Sequence, residues 1–192
     1  FPVMDFLHFG EAGAANRLFN GYLQPGWRWH GDALVLMPLF LSMRAAIRAL
    51  VSFTKHELSP NDSESLTAAK SYFALALELI VPGKPVLIAV GGRSGTGKSV
   101  LARSIAGRIA PPPGAVVLRS DVIRKELAGV DALTRLPGAA YTRESSDRVY
   151  GEMLGRARSV LAQGCSAIVD AAFLTVAERE AATEIARSGG VD

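Results

Sequence analysis

Residues 91–99 read GGRSGTGKS, and they follow the apolar run Val86, Leu87, Ile88, Ala89 and Val90. From Gly92 the stretch fits G-x-x-x-x-G-K-[ST], with Gly92, Gly97, Lys98 and Ser99 in the fixed places and Arg93, Ser94, Gly95 and Thr96 between. The chemistry this spacing serves is phosphate binding. Glycines let successive backbone N–H groups turn inward around an anion, and a helix starting near Lys98, running through Val100, adds its positive end. Lys98 is placed to reach the β- and γ-phosphates of a nucleotide, and the Ser99 hydroxyl to ligate Mg²⁺. Two further groups have the chemistry to join it. Asp170 closes the apolar run Ala167, Ile168 and Val169, and a carboxylate at such a strand end holds Mg²⁺ beside Ser99, orients an acceptor hydroxyl, or simply caps the next segment. Asp121 and Arg124 form D-x-x-R after a second strand. Three residues apart on a helix, they face one cleft, the acid to take a proton from an attacking hydroxyl and the arginine to clamp an anionic or transferring group. The plainer alternative is an N-cap at Ser120 or Asp121 with Arg124 on the surface. Lys125 is expected to face solvent.

The elements that must position these groups are legible from residue 84 onward. Strand 86–90, helix 98–109, a stop at 111–114, strand 115–118, a short helix to about 128, helix 146–161 and strand 167–169 alternate. A last helix spans 176–187. Strands alternating with crossover helices predict a three-layer α/β fold with a parallel sheet, and ligands in such sheets lie beyond the carboxyl ends of the strands. The P-loop, Asp121 and Asp170 all fall there. The 48 residues between Asp121 and Asp170 exceed a minimal crossover. The surplus at 126–144 is the natural acceptor-side cap, where Tyr141, Thr142 and Arg143 either touch substrate or serve structure. Phe173 either lines that cleft or packs.

Residues 1–83 read as helical. Ala14, Leu18 and Tyr22 recur with Ala15, Phe19 and Leu23 beside them, ended by Gly21 and residues 24–27. Trp27 and Trp29 either stack on a ligand or pack. Asp32 is expected to cap a long helix to about His56, with Pro38 kinking it or marking its true first turn. Its apolar run 33–43 is too short to span a bilayer. After a turn at 59–62, Asn61 and Glu64 have capping-box spacing ahead of a helix with Leu66, Ala69, Phe73, Leu77 and Ile80 on one face. Residues 81–85, Val-Pro-Gly-Lys-Pro, are the best domain boundary, giving a helical segment over residues 1–83 and a nucleotide-binding segment over residues 84–192.

Composition agrees with a globular, nucleotide-binding protein. The net charge is +3; residues 1–83 carry 6 basic and 7 acidic side chains, and the remainder 15 and 11. That excess suits a small anion and is too diffuse to indicate nucleic acid. His8, His30 and His56 stand apart, and the single Cys165 reads as a half-buried structural thiol, so neither a metal cluster nor a disulfide framework is indicated. A cytoplasmic setting is expected, with no membrane partner.

The motifs together resemble a known family. Residues 92–99, 120–127 (SDVIRKEL), 136–141 (LPGAAY), 148–150 (RVY) and 168–173 (IVDAAF) are similar to the P-loop kinase region of bacterial bifunctional aminoglycoside phosphotransferase-like/ATP-binding proteins. That region is related to gluconate, adenylylsulfate and chloramphenicol kinases. Residues 4–7, 15–23 and 36–48 resemble the last helices of the preceding phosphotransferase-like domain. The resemblance implies ATP and Mg²⁺ as cofactors, handled by Lys98 and Ser99, and an acceptor hydroxyl at Asp121. It implies an ATP-dependent kinase acting on a small molecule, with an ATPase switch or a non-catalytic ATP-binding module regulating a partner domain as the alternatives. It further implies truncation at both ends. The catalytic loop of the phosphotransferase-like domain would lie before Phe1, and further strands with an arginine-bearing lid after Asp192, leaving an exposed sheet edge prone to aggregation.

Overall fold

The computed structural model describes residues 2–59, 61–131 and 133–191. Pro60 of the expected turn lies outside them, as do Phe1 and Asp192. Helices α1 (Pro2–His8), α2 (Ala12–Leu23) and α3 (Trp27–His30) are followed by a 3₁₀ segment, Gly31–Leu36, and the long helices α4 (Met37–Leu58) and α5 (Ser63–Ile80). Then come β1 (Leu87–Val90), α6 (Lys98–Ala106), β2 (Val116–Arg119), α7 (Ser120–Leu127), a 3₁₀ turn Gly138–Tyr141, α8 (Arg143–Ala162), β3 (Ala167–Asp170) and α9 (Val176–Gly189). The three strands pair in the order β1-β3-β2, all parallel, with Val90 and Arg119 both in register with Asp170.

Alternation along the strands makes the layers. Val116, Leu118, Ala167 and Val169 face one side, where Val149, Met153, Ala157, Val160 and Leu161 of α8 bury against them with Ala182 and Ile185 of α9. Val90, Ala115 and Ile168 face the other, against Ala102 and Ala106 of α6. The α/β expectation with a parallel sheet is met, and the stripe read along α8 is the one that is buried.

Helix α2 closes the outer edge of β2. Phe19 and Leu23 enter the α8 core while Leu18 and Tyr22 stay exposed, so the second of the two stripes read in the sequence is the packing face. Gly21 lies inside α2 rather than ending it. Beside that apolar seam, Asn20 does the work of a strand: its Oδ1 accepts from Val117 N at 2.7 Å and its Nδ2 donates to Ala115 O at 3.1 Å. Asn16 Nδ2 donates to Pro113 O and Ala115 O. Backbone groups that an edge strand leaves open are thus satisfied by two carboxamides.

Helices α4 and α5 form a hairpin through small residues. Leu41, Ala45 and Ala49 meet Tyr72, Ala76 and Leu79, joined by Met4 of α1. Leu66, Phe73, Leu77 and Ile80, expected as one apolar face, do not all share this seam: Phe73 is 58 % and Leu77 54 % exposed. Both faces of α5 are apolar, and the hairpin buries the one whose alanines allow close approach. Asp32 does not cap the long helix, because the chain runs through a 3₁₀ segment and the α-helix begins at Met37 with Pro38 in its first turn. The cap of α5 is Asp62, not Asn61: Asp62 accepts from Ser65 N at 3.0 Å and from Ser65 Oγ at 2.6 Å. These bonds, with Lys55 Nζ at 3.1 Å, hold the Asp62 carboxyl well below its ordinary range. The helical run Trp27–Leu58 has the length and composition of a membrane span, which the apolar stretch 33–43 alone does not, and 22 % of its window is buried.

Candidate nucleotide-phosphate site

The loop between β1 and α6 has the backbone its glycines foretell. Gly92 and Gly97 hold φ of +146° and +83°, conformations that side-chain-bearing residues rarely adopt. Gly97 is the left-handed residue at the start of α6, so the unpaired N–H groups of that helix's first turn open on the loop. Lys98 Nζ donates to Arg93 O at 2.7 Å and Thr96 Oγ1 to the same carbonyl at 2.8 Å, which closes the loop on itself. Gly92 N donates to Ala172 O at 3.2 Å, tying the loop to the segment after β3.

That segment is tightly held. Phe173 has φ +49°, the single non-glycine residue with positive φ among the described residues, and it is buried. Its N–H donates to the Tyr150 hydroxyl at 2.9 Å, and Arg179 Nη1 donates to its carbonyl at 2.8 Å. Burial raises the Tyr150 phenol above its usual range. Phe173 therefore packs in the core, edge-on to Tyr150 at 5.6 Å, rather than lining the cleft.

At the sheet's carboxyl end, Ser99 Oγ donates to Asp170 Oδ2 at 2.5 Å, and Asp170 is only 4 % exposed. Arg119, the last residue of β2, brings its Nε to 3.6 Å from the same oxygen. Asp121 stands on the first turn of α7 with Lys125 Nζ 3.3 Å from its Oδ2. Lys125 is not solvent-facing as expected: its side chain is 15 % exposed, because one helical turn carries it back over Asp121. Arg124 is buried, not superficial. Its Nη1 donates to Ala140 O and Ser145 Oγ, both at 3.0 Å, its Nη2 to Ser146 Oγ at 3.3 Å, and it lies 4.8 Å over the Tyr141 ring. The guanidinium fastens the 138–146 segment to α7. Thr142 caps α8 through Ser145 N, and Arg143 opens that helix.

A cleft of about 790 Å³ collects Ser94, Gly95, Gly97, Lys98, Ser99, Val100, Asp121, Arg124, Tyr141 and Asp170 on its walls. Gly92, Arg93 and Thr96 shape the loop without lining it. Trp27 and Trp29 are elsewhere: Trp27 packs under Arg156 at 5.1 Å and Trp29 is 83 % exposed. The cleft also holds Arg119, Ser146, Tyr150 and Glu178, none given a role by the sequence. Arg119 directly precedes Ser120 and Asp121, but its place beside Asp170 needs the strand order. No group of three or more His, Cys, Asp or Glu side chains suited to a metal occurs among the described residues.

Residues 87–192 match the model of a protein family described as an AAA domain, just over half of the chain. The chain belongs to this family. This AAA domain is a P-loop, kinase-like nucleotide-binding domain, which agrees with the loop, sheet and cleft described above. The chain is also 31 % identical over 176 residues to an uncharacterized protein of Mycobacterium bovis and to uncharacterized proteins of two Mycobacterium tuberculosis strains. Each alignment covers 88 % of the chain and 33 % of the relative, so the chain spans about a third of the length of the curated relatives it matches. No solved structure matches it.

Proposed function

We propose that the chain binds ATP and transfers its γ-phosphate to a hydroxyl of a small molecule. The observation that carries this reading is the meeting of Lys98 and Ser99, Asp170 and Asp121 around one cleft at the carboxyl ends of three parallel strands. Among the described residues Lys98 is tethered only to the loop carbonyl of Arg93, so a bound phosphate can take its ammonium in exchange. The α6 N–H groups hold the phosphates, and the loop's tie to Ala172 keeps that cradle fixed to β3. Asp121 accepts the proton of the incoming hydroxyl, with Lys125 steadying its carboxylate. Arg124 acts by holding Tyr141 and the 138–146 segment over the acceptor side.

The adjacent Ser99 hydroxyl and Asp170 carboxylate are hard oxygen donors of the kind Mg²⁺ prefers, and these two residues would hold it. When bound, Mg²⁺ supplies charge neutralisation between the phosphates.

The proposal extends to the longer protein. Residues 1–83 are read as the end of an aminoglycoside-phosphotransferase-like domain and residues 84–192 as the kinase-like domain, in a cytoplasmic protein. Support comes from the relatives' greater length and from the exposed Leu39, Phe40, Leu50, Val51 and Leu77 of α4 and α5, which such a domain would cover.

Calorimetry tests the core claim. Mg·ATP should bind this chain, and Lys98→Ala should weaken it about tenfold or more, as loss of a charge-assisted phosphate contact requires. Equal affinities would sink the phosphate-loop reading. In the longer protein, Asp121→Asn should cut acceptor phosphorylation by about 10²-fold or more with ATP affinity retained. Unchanged ATP turnover in that variant, with no phosphorylated acceptor, would indicate hydrolysis instead.

A further inference from the structure

We infer that Arg119 makes the Ser99–Asp170 site selective for a cation delivered with a nucleotide, by excluding the free divalent ion. The inference rests on the nucleotide reading and adds a residue to it.

Three observations converge on this side chain. The register of β2 against β3 sets Arg119 directly beside Asp170 at the mouth of the cleft. Its Nε is buried and makes no hydrogen bond among the described residues, since the nearest Asp170 oxygen, at 3.6 Å, lies beyond bonding distance. That same oxygen, Oδ2, is the one that takes the Ser99 hydroxyl. A buried donor left unpaired is costly, so hydrogen bonding does not explain the placement. Charge does. At this separation the guanidinium acts on Asp170 through its field without itself taking up a lone pair of the carboxylate.

The consequence is a local balance of charge. Asp170 contributes one negative charge and Arg119 one positive, and Lys98 stands on the same wall of the cleft. The other charged side chains lining the cleft are Asp121, Arg124 and Glu178, so its three acids and three bases sum to zero and leave no excess of negative charge. A bare divalent cation entering here meets an anion already neutralised. A divalent cation carried by a triphosphate arrives as a net anion and meets Lys98 and Arg119 as attractions. The same arrangement that repels the free ion therefore favours the complex.

The probe is Mn²⁺ without nucleotide, followed by electron paramagnetic resonance. Wild-type chain should bind it weakly, and Arg119→Gln about tenfold or more tightly, the scale expected when a unit charge a few ångströms from the ion is removed. Arg119→Lys, which keeps the charge and discards the planar fork, should behave like wild type. A purely structural role for the fork would not predict that. The gain must disappear in Arg119→Gln combined with Asp170→Asn. Folding of each variant is checked by circular dichroism, and Arg119→Met replaces the glutamine variant if that one unfolds. Equal Mn²⁺ affinities in wild type and the neutral variant, with Mg·ATP binding intact, overturn the role of Arg119 alone. A gain that survives the Asp170 change overturns it too. Failure of wild type to bind Mg·ATP overturns the underlying nucleotide reading instead.

Discussion

The residues around the cleft divide between those held for chemistry and those spent on structure, and Arg124 is the instructive one. Its spacing from Asp121 suggests an anion clamp, yet its guanidinium already serves Ala140, Ser145, Ser146 and the Tyr141 ring. Arg124→Lys keeps the charge but cannot reproduce this fork and stack. It should lower unfolding free energy by about 2–3 kcal/mol in urea titrations, the scale of charged hydrogen bonds lost from a buried site. Sequence spacing set this arginine one turn from Asp121 and could not tell its partners, because those come from a segment some 20 residues away whose path is set by tertiary packing. Cys165 is the opposite case, since its surroundings are legible in the sequence. Burial pushes its thiol up to about 11. A group whose folded pKa is raised contributes stability fully present below its unfolded value, near 9, and loses it as pH climbs towards 11. Urea midpoints of wild type should therefore fall relative to Cys165→Ala between about pH 9 and 11, and run parallel below that. Parallel curves throughout would contradict the buried placement.

At the scale of elements, the phosphate loop, the alternation of strands and helices and the α8 stripe were legible because each is written in local spacing. The α2–β2 contact was not. Asn16 and Asn20 look in sequence like ordinary polar positions on a helix, and only the approach of that helix to an open strand edge makes them backbone partners. Asn20→Ala leaves Val117 N–H unpaired and should cost about 1–3 kcal/mol, with faster amide exchange at Val117 as the local sign. Missed helix starts have a similar origin. Asp62 outcompetes Asn61 as a cap because it bonds both Ser65 N and Oγ and draws in Lys55. The seat of α2 on the end of α6 is tested at Gly107, with Gly155 of α8 as the contrast. A Cβ on Gly107 would lie 2.7 Å from Ala12 O and 2.9 Å from Gly13 Cα, whereas one on Gly155, inside α8, meets nothing within 4 Å. Gly107→Ala should destabilise by about 1–3 kcal/mol and Gly155→Ala stabilise by about 0.5–1 kcal/mol, both read from thermal or urea unfolding.

For the whole molecule, the α2 amides mean that the helical segment and the nucleotide-binding sheet do not merely follow one another along the chain. Phe19, Leu23 and Leu34 share one core with β2, β3 and α8, so the strand that presents Arg119 and leads into Asp121 is supported from its outer side by residues far upstream. The proline-rich stretch 81–85 marks a change of pattern in sequence without marking a gap in packing, and no local signal carries that distinction. Farther out, α4 and α5 turn Leu39, Phe40, Leu50, Val51, Phe73 and Leu77 to solvent. That surface dictates how the chain behaves as a solute. Attraction between such faces is entropic near room temperature and weakens on cooling, and excluded salts strengthen it. Light scattering should therefore show self-association that grows on warming from cold-room to room temperature, grows again with added sulfate, and reverses on cooling. Leu50→Lys with Phe73→Lys should flatten both responses.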